Sequence, residues 1–429
     1  MITWIPSKES PDASKAARAA NLRRPQWVVA GFALTVLVAV GLYYRMIWGS
    51  VEGFVVAVDF CDKLFCDFVV YYYEMGRSIL ATKVPAPGFF YSPLFAVILI
   101  PLGALELSMA TIVWGIVMLF TTASLGVLSY RTAPPESRVT IAGFILLFVT
   151  SFPVLHNFKW GQVSVLLVLL VVASLVAYEH GRIALSAILL ALAVSIKYYP
   201  LVFVVYFIVH RDWKFVLSFA ISVLVCVFVL PAVVLGPGDT VEFLNRVLVG
   251  SGGVQRGAGG PNSQSLKNVL ARLYPGSPGT VEISRIAFAA VGYFMLWGNL
   301  VLVFLLRKLG RHEALTISFM VLFLSIPLFV GTSWPHYLVY LPFCQVLAFE
   351  MLRQTYEPSR IRRRILAGLL AVSVALASVM VFDLIGSWER YNAPGLLLWS
   401  NISLLVFVYL HAVPKILPLP LVKKSGRER

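Results

Sequence analysis

Apolar residues in this chain come in long runs rather than in alternation. The stretch Val163–Tyr178 reads VSVLLVLLVVASLVAY and carries only two serines among its apolar positions. A lipid-facing β-strand would alternate apolar and polar residues, and this pattern does not. Comparable runs are Trp27–Trp48, Tyr91–Leu105, Leu107–Tyr130, Val139–Leu155, Ile183–Val209, Phe215–Leu235, Ile286–Leu306, Ala314–Gly331, Pro335–Leu352, Ile365–Ile385 and Pro394–Leu417. Roughly 17–25 such residues are needed to cross about 30 Å of hydrocarbon as a helix. Backbone groups in lipid must bond within their own segment, so the runs predict helices. The expected fold is all-α: a polytopic membrane protein with about twelve transmembrane helices. One transmembrane domain, 27–417, would lie between a cytoplasmic tail, 1–26, and a cytoplasmic basic tail, 418–429.

Composition agrees with this. Hydrophobic residues make up 59% of the 429 and charged residues 13%, with a mean hydropathy of +0.85; soluble chains carry about 25% charged residues. The first run is too long for a signal-peptide core and no small-residue cleavage site follows it, so it reads as a retained span.

Charge changes the picture in one respect. The chain has 35 Lys+Arg against 20 Asp+Glu, a formal net charge of +15. No stacking motif or nucleic-acid fold signature accompanies it, so nucleic acid is not an expected partner. The basic residues instead gather in short loops, as at Arg211 and Lys214, Arg307 and Lys308, and Arg362–Arg364. That is the distribution of cytoplasmic loops beside anionic lipid. The second half obeys alternation on this rule. The first half does not: strict alternation puts Lys159 inside, as the rule expects, but Arg131, Arg138 and Arg182 outside, where the rule prefers the reverse. The run Ile183–Val209 is also interrupted by Lys197-Tyr198-Tyr199-Pro200. It reads as a broken helix or two half-spans, which are tolerated where backbone is buried or lines a cavity.

Two long extracytoplasmic loops are expected, 49–90 and 236–282, the second including the Gly-rich stretch Gly250–Gly260. Phe68–Leu80 reads as an amphipathic surface helix. Cys61 and Cys66 share the first loop, where a small-loop disulfide and two free thiols are both compatible with the spacing. Cys226 and Cys344 sit inside apolar runs as packing residues.

The chain contains no Walker A, GxGxxG, HExxH or GxSxG sequence. Candidate chemistry lies at loops and span ends. Asp67 follows the first span and suits a general base, a role worth about 10²–10⁴ in rate; the bland reading is a helix N-cap. Asp59 and Asp62 raise a divalent-metal alternative. Lys197 inside an apolar run fits a phosphate contact or a lysine snorkelling to the interface. Asn262, Gln264 and Ser265 with Arg272 suit sugar hydroxyls and a phosphate, or an ordinary loop and helix start. Trp334 and His336 sit at a span end, where aromatic anchoring competes with a substrate role.

In order and spacing, these pieces resemble the polyprenyl-phosphate-mannose-dependent mannosyltransferases of type-C membrane glycosyltransferase fold. The resemblance runs from about Asp67 to Tyr340. It rests on Asp67-x-x-Val70-Tyr71; Phe90-Tyr91-Ser92-Pro93-Leu94-Phe95-Ala96 with Pro101-Leu102; and Gly161-Gln162-Val163. The further pieces are Gly181-Arg182 leading to Ile196-Lys197-Tyr198-Tyr199-Pro200; Gln264-Ser265-Leu266 with Arg272; and Ser333-Trp334-x-His336. The family usually has Tyr-Pro-Pro at Tyr91-Ser92-Pro93 and Asn-Gln-Ser at Ser263-Gln264-Ser265.

The resemblance implies a lipid-linked sugar donor, polyprenyl-phosphate-mannose, as co-substrate, with no further cofactor and no metal. Asp67 would be the catalytic base. Lys197, Arg272 and His336 would bind the donor phosphate, and Tyr71, Tyr91, Gln162, Asn262, Gln264, Ser265 and Trp334 would line the substrate site. The partners implied are a glycolipid or glycan acceptor and membrane lipids. The setting would be the cell membrane, with the site on the extracytoplasmic side. A secondary transporter or lipid flippase is the competing reading, which Lys197 would serve; a non-catalytic scaffold is a third.

Overall fold

The computed structural model describes residues 26–417 apart from 60, 87–88, 90, 133–144, 255–259, 276–280 and 355–358. The expected tails, 1–26 (except Gln26) and 418–429, lie outside the described residues, as do Phe90, Arg138 and residues 255–259 of the Gly-rich stretch. No strand occurs among the described residues; one antiparallel bridge pairs Ser151 with Ser378. The chain is an all-α membrane protein. Among the described residues, five helices are long and apolar enough to cross a bilayer: Leu107–Leu128, Trp213–Leu235, Arg285–Lys308, Arg311–Phe329 and Trp388–Ile416. The count reaches seven if each of two bent helix pairs is one span. The described residues therefore do not form the expected twelve full-length spans.

The difference arises where apolar runs are broken. The first run turns by 73° between Trp48 and Val51, where Gly49 adopts φ +68° and Ser50 caps the next helix through Gly53 N–H. Helix Phe152–Trp160 turns by 120° into Ser164–Glu179. Helix Ile183–Ile196 stops at Lys197, whose backbone is extended, and the chain restarts as a 3₁₀ turn at Tyr199–Phe203. The broken-helix expectation holds there. Among the described residues, three apolar helices are shorter than a span: Pro93–Gly103, Ile183–Ile196 and Tyr199–Val209.

Burial separates inner helices from lipid-facing ones. In the apolar stretch of Arg311–Phe329, 78% of residues are buried, against 17% in Trp213–Leu235. The former packs between Val281–Leu305 and Leu396–Ile416. Val233, Phe294 and Trp297 point outward from peripheral helices, which in water would be a severe liability and in lipid is the favoured arrangement. Helices Glu74–Thr82 and Pro93–Gly103 touch backbone to backbone, since a Cβ at Gly76 would lie 2.4 Å from the Leu99 carbonyl oxygen. Phe68–Tyr73 is a π-helical turn leading into Glu74–Thr82. It buries Phe68, Tyr72, Met75 and Ile79 and exposes Val70, Tyr71 and Leu80. The amphipathic stretch is therefore docked by one face onto the bundle.

Candidate active site

The 120° break brings the polar residues together. Gly161 has φ +67°, and a Cβ there would sit 3.0 Å from the Cβ atoms of Phe65 and Phe68. Glycine meets both demands, the left-handed backbone and the close approach. The loop before Asp67 is fastened to this corner. Cys61 and Cys66 are disulfide-bonded. Phe65 N–H donates to the Lys159 carbonyl at 2.8 Å, and Lys159 Nζ donates to the Cys61 carbonyl.

Asp67 is 9% exposed and makes no side-chain cap on the helix that follows it, so the N-cap alternative fails. Its Oδ2 instead accepts from Gln162 Nε2. Burial raises its carboxyl from 3.8 to about 6, while the Gln162 hydrogen bond and the Lys197 charge pull the other way. Such a carboxylate is ionised at neutral pH yet basic enough to take a hydroxyl proton.

Gln162 organises the rest. Its Oε1 accepts from Tyr72 OH at 2.8 Å, Lys197 Nζ at 3.1 Å and Tyr91 OH at 3.2 Å. The two tyrosine hydroxyls lie 2.6 Å apart. The amide orientation follows from this set, with oxygen toward three donors and nitrogen toward the carboxylate. Lys197 Nζ also lies over the rings of Tyr337 at 4.3 Å and Tyr91 at 5.0 Å. A lysine within an apolar run costs about 2.5–3.5 kcal/mol on insertion scales. Two desolvated ring contacts, each worth up to about 2 kcal/mol, offset much of that. The snorkelling alternative does not describe this buried side chain.

A second cluster centres on Asp59, which is buried. Asn262 Nδ2 lies 2.8 Å from both of its carboxylate oxygens. Oδ2 also meets His156 Nε2 at 2.9 Å and Trp160 Nε1 at 3.0 Å. Asn392 Nδ2 donates to Asn262 Oδ1 at 2.9 Å. His336 Nδ1 lies 3.3 Å from His156 Nδ1, and its chain neighbour Tyr337 underlies Lys197, so the two clusters adjoin. Asp62 is exposed. Among the described residues no group of three or more His, Cys, Asp or Glu side chains is placed to hold a metal ion.

Of the sequence candidates, the structure joins Asp67, Gln162, Tyr91 and Lys197 in one network and sets Asn262 and His336 in the adjoining one. Tyr71 is 37% exposed; its neighbour Tyr72 makes the buried contacts, because the π-helical turn directs that ring inward. Gln264 Nε2 donates to the Asn392 and Pro261 carbonyls, and its N–H donates to the Ser333 carbonyl. Ser265 starts helix Leu266–Leu273 without a side-chain cap. Arg272 donates to the carbonyls of Ala393, Gly260, Ser263 and Asn392, which makes it a clamp on loop backbone in this state. Trp334 is half-buried before the 3₁₀ turn Pro335–Leu338.

Tyr72, His156, Trp160 and Asn392 were not legible as site residues. For His156 a signal was present: His156, Asn157 and Lys159 place three polar side chains in nine residues of an otherwise apolar helix, and such residues at membrane depth point to function.

Residues 89–331 match the pattern of glycosyltransferase family 87. The chain belongs to that family. It is also 26% identical, over 245 residues, to the polyprenol-phosphate-mannose-dependent alpha-(1-2)-phosphatidylinositol mannoside mannosyltransferase of Mycolicibacterium smegmatis. That match covers 54% of this chain and 53% of the relative, so the chain spans about half the length of the curated protein it matches. The family match includes Tyr91, Gln162, Lys197 and Asn262, while Asp59, Asp67 and His336 lie on either side of it.

Proposed function

We propose that this family 87 protein transfers a sugar, mannose, from a polyprenyl-phosphate donor to a lipid-linked or cell-envelope glycan acceptor. The observation that carries the reading is the Asp67–Gln162–Lys197 network: a buried carboxylate and a buried ammonium held by one amide, in a chain whose family transfers sugars. The relative's dependence on polyprenol-phosphate-mannose supports the donor class.

In this reading Asp67 accepts the proton of the acceptor hydroxyl as that oxygen attacks the anomeric carbon. Configuration inverts, and the bond to the phosphate oxygen breaks. The polyprenyl phosphate leaves as an anion, so no general acid is required, and Lys197 offsets its charge. Both substrates are membrane-borne, which accounts for a site built into the membrane domain. The Cys61–Cys66 disulfide beside Asp67 favours the extracytoplasmic side of a cell membrane, because disulfides persist in oxidising compartments.

The test is Asp67→Asn, assayed as mannose transfer from polyprenyl-phosphate-mannose in detergent. The variant is expected to bind donor like the wild type and to lose about 10²-fold or more in turnover. Turnover close to wild type would remove Asp67 from the role of base.

A further inference from the structure

Three helices run from the site to the opposite end of the bundle. Ser164–Glu179 starts just after Gln162, and its 16 residues rise about 24 Å. Tyr199–Val209 leads away from Lys197, and Arg311–Phe329 leads toward the turn that holds His336. The far ends of the three meet. The Tyr178 ring packs on Phe207 at 4.9 Å, the Arg311 guanidinium lies over Tyr178 at 5.0 Å, and His312 pairs with Glu179 at 2.6 Å. Here Trp213–Leu235 begins, Arg285–Lys308 ends and Arg311–Phe329 begins, so this end marks a boundary of the spanning segments. The two basic loops on it are joined: Arg307 Nη1 donates to the carbonyl of Val209, 98 positions away, at 3.5 Å.

The acids of these segments are already engaged. Glu179 pairs with His312, Glu313 with Lys415 at 2.6 Å, and Asp212 accepts from Tyr178 OH at 2.7 Å and Phe215 N–H at 3.1 Å. Among the described residues no carboxylate pairs with Arg211, Arg307, Lys308 or Arg311, and all four are exposed. Arg307 and Arg311 both act on His210, whose Nε2 is buried without a hydrogen-bond partner. Each guanidinium is seated on a ring, Arg307 on Phe304 at 3.7 Å and Arg311 on Tyr178. Stacking fixes the plane and leaves N–H edges to donate, a geometry suited to phosphate oxygens. The residues that continue from these loops toward hydrocarbon, Ile208, Leu217 and Phe304, are apolar and exposed, and so is Trp213 at the boundary itself. We propose that this face binds the phosphate headgroup of an anionic phospholipid, held by Arg307 and Arg311 with Arg211 and Lys308 beside them. Basic pockets between spanning helices take such headgroups. A free anion would satisfy the cations but leave the apolar flank uncovered, which favours a lipid. The lipid ties together helix ends whose other ends lead to Gln162, Lys197 and His336, and so braces the site without touching it.

Such a lipid is not a substrate, so lipid binding and sugar transfer can fail separately. The test uses the full chain, purified in detergent and stripped of lipid. Thermal unfolding is followed with added phosphatidylglycerol, phosphatidylcholine or inorganic phosphate. Phosphatidylglycerol is expected to raise Tm by about 3 °C or more above the value in phosphatidylcholine. Arg307→Gln with Arg311→Gln should lose that difference. Arg363→Gln with Arg364→Gln removes two exposed arginines from another loop and should keep it. Native mass spectrometry of the wild type, which needs no variant to fold, should show phosphatidylglycerol retained at collision energies that strip phosphatidylcholine. Equal stabilisation or equal retention of the two lipids would overturn the site. So would a phosphatidylglycerol effect that survives in the Arg307 and Arg311 variant, or one lost equally in the Arg363 and Arg364 variant. The same shift with inorganic phosphate would overturn the assignment to a lipid.

Discussion

Gln162→Met removes the hydrogen bond from Nε2 to Asp67 while keeping side-chain length and shape. A hydrogen bond to a charged group is worth about 1.5–3 kcal/mol, and one pKa unit corresponds to about 1.4 kcal/mol. The Asp67 carboxyl, held at about 6 in the wild type, should therefore rise by about one to two units in the variant. The sign is fixed by the role: a protonated Asp67 cannot accept the hydroxyl proton, so activity falls as pH drops through its pKa. The wild type should show an acid limb in kcat/KM near pH 6. In Gln162→Met that limb should move to about pH 7–8, with much of the loss at neutral pH recovered by about pH 9. The variant also deprives Lys197 and Tyr72 of their shared acceptor, so a lower Tm is expected alongside. Mannose transfer measured from about pH 5 to about pH 9 decides the matter. A wild-type profile without an acid limb, or a variant whose limb stays in place, would refute the coupling of Gln162 to the base.

Two further outcomes follow from how the loops are held. Replacing both Cys61 and Cys66 by serine opens a short ring worth about 2 kcal/mol by chain entropy; because Asp67 directly follows Cys66, kcat should fall more than donor KM rises, and a reductant-insensitive wild-type kcat would contradict this. Arg272→Ala strips donors from four loop carbonyls and should destabilise by about 2–4 kcal/mol in thermal unfolding. Donor KM should stay within about twofold of wild type in the folded fraction. A raised KM at unchanged Tm would return Arg272 to the donor phosphate.

The chemistry of the site was legible where a residue type contradicted its surroundings. Lys197 in an apolar run and Asp67 after the first span are exceptions to hydrophobicity, and a membrane domain tolerates few of those without partners; Gln162 was singled out only by the family resemblance. The break at Lys197 was legible for the same reason, since Tyr198-Tyr199-Pro200 interrupts a helix-forming run. The 120° turn at Gly161 was not. Val139–Leu155 and Val163–Tyr178 looked like consecutive spans, and local apolarity carries no information about the angle between two helices.

Membership of the all-α membrane class was written into the length and continuity of the apolar runs, because hydrocarbon allows a spanning chain few alternatives. Which polar exceptions meet was decided only in three dimensions. Asp59 and Asn262 are about 200 positions apart in sequence, yet share a hydrogen bond. Tyr72 rather than Tyr71 reaches Gln162 because a π-helical turn shifts which ring points inward. Arg272 and His336 have equal claims on an anion by residue type, but the fold directs one to backbone carbonyls and leaves Nε2 of the other buried without a hydrogen-bond partner. Side-chain type is local, whereas the partner that fixes its protonation and its role comes from a distant segment through packing.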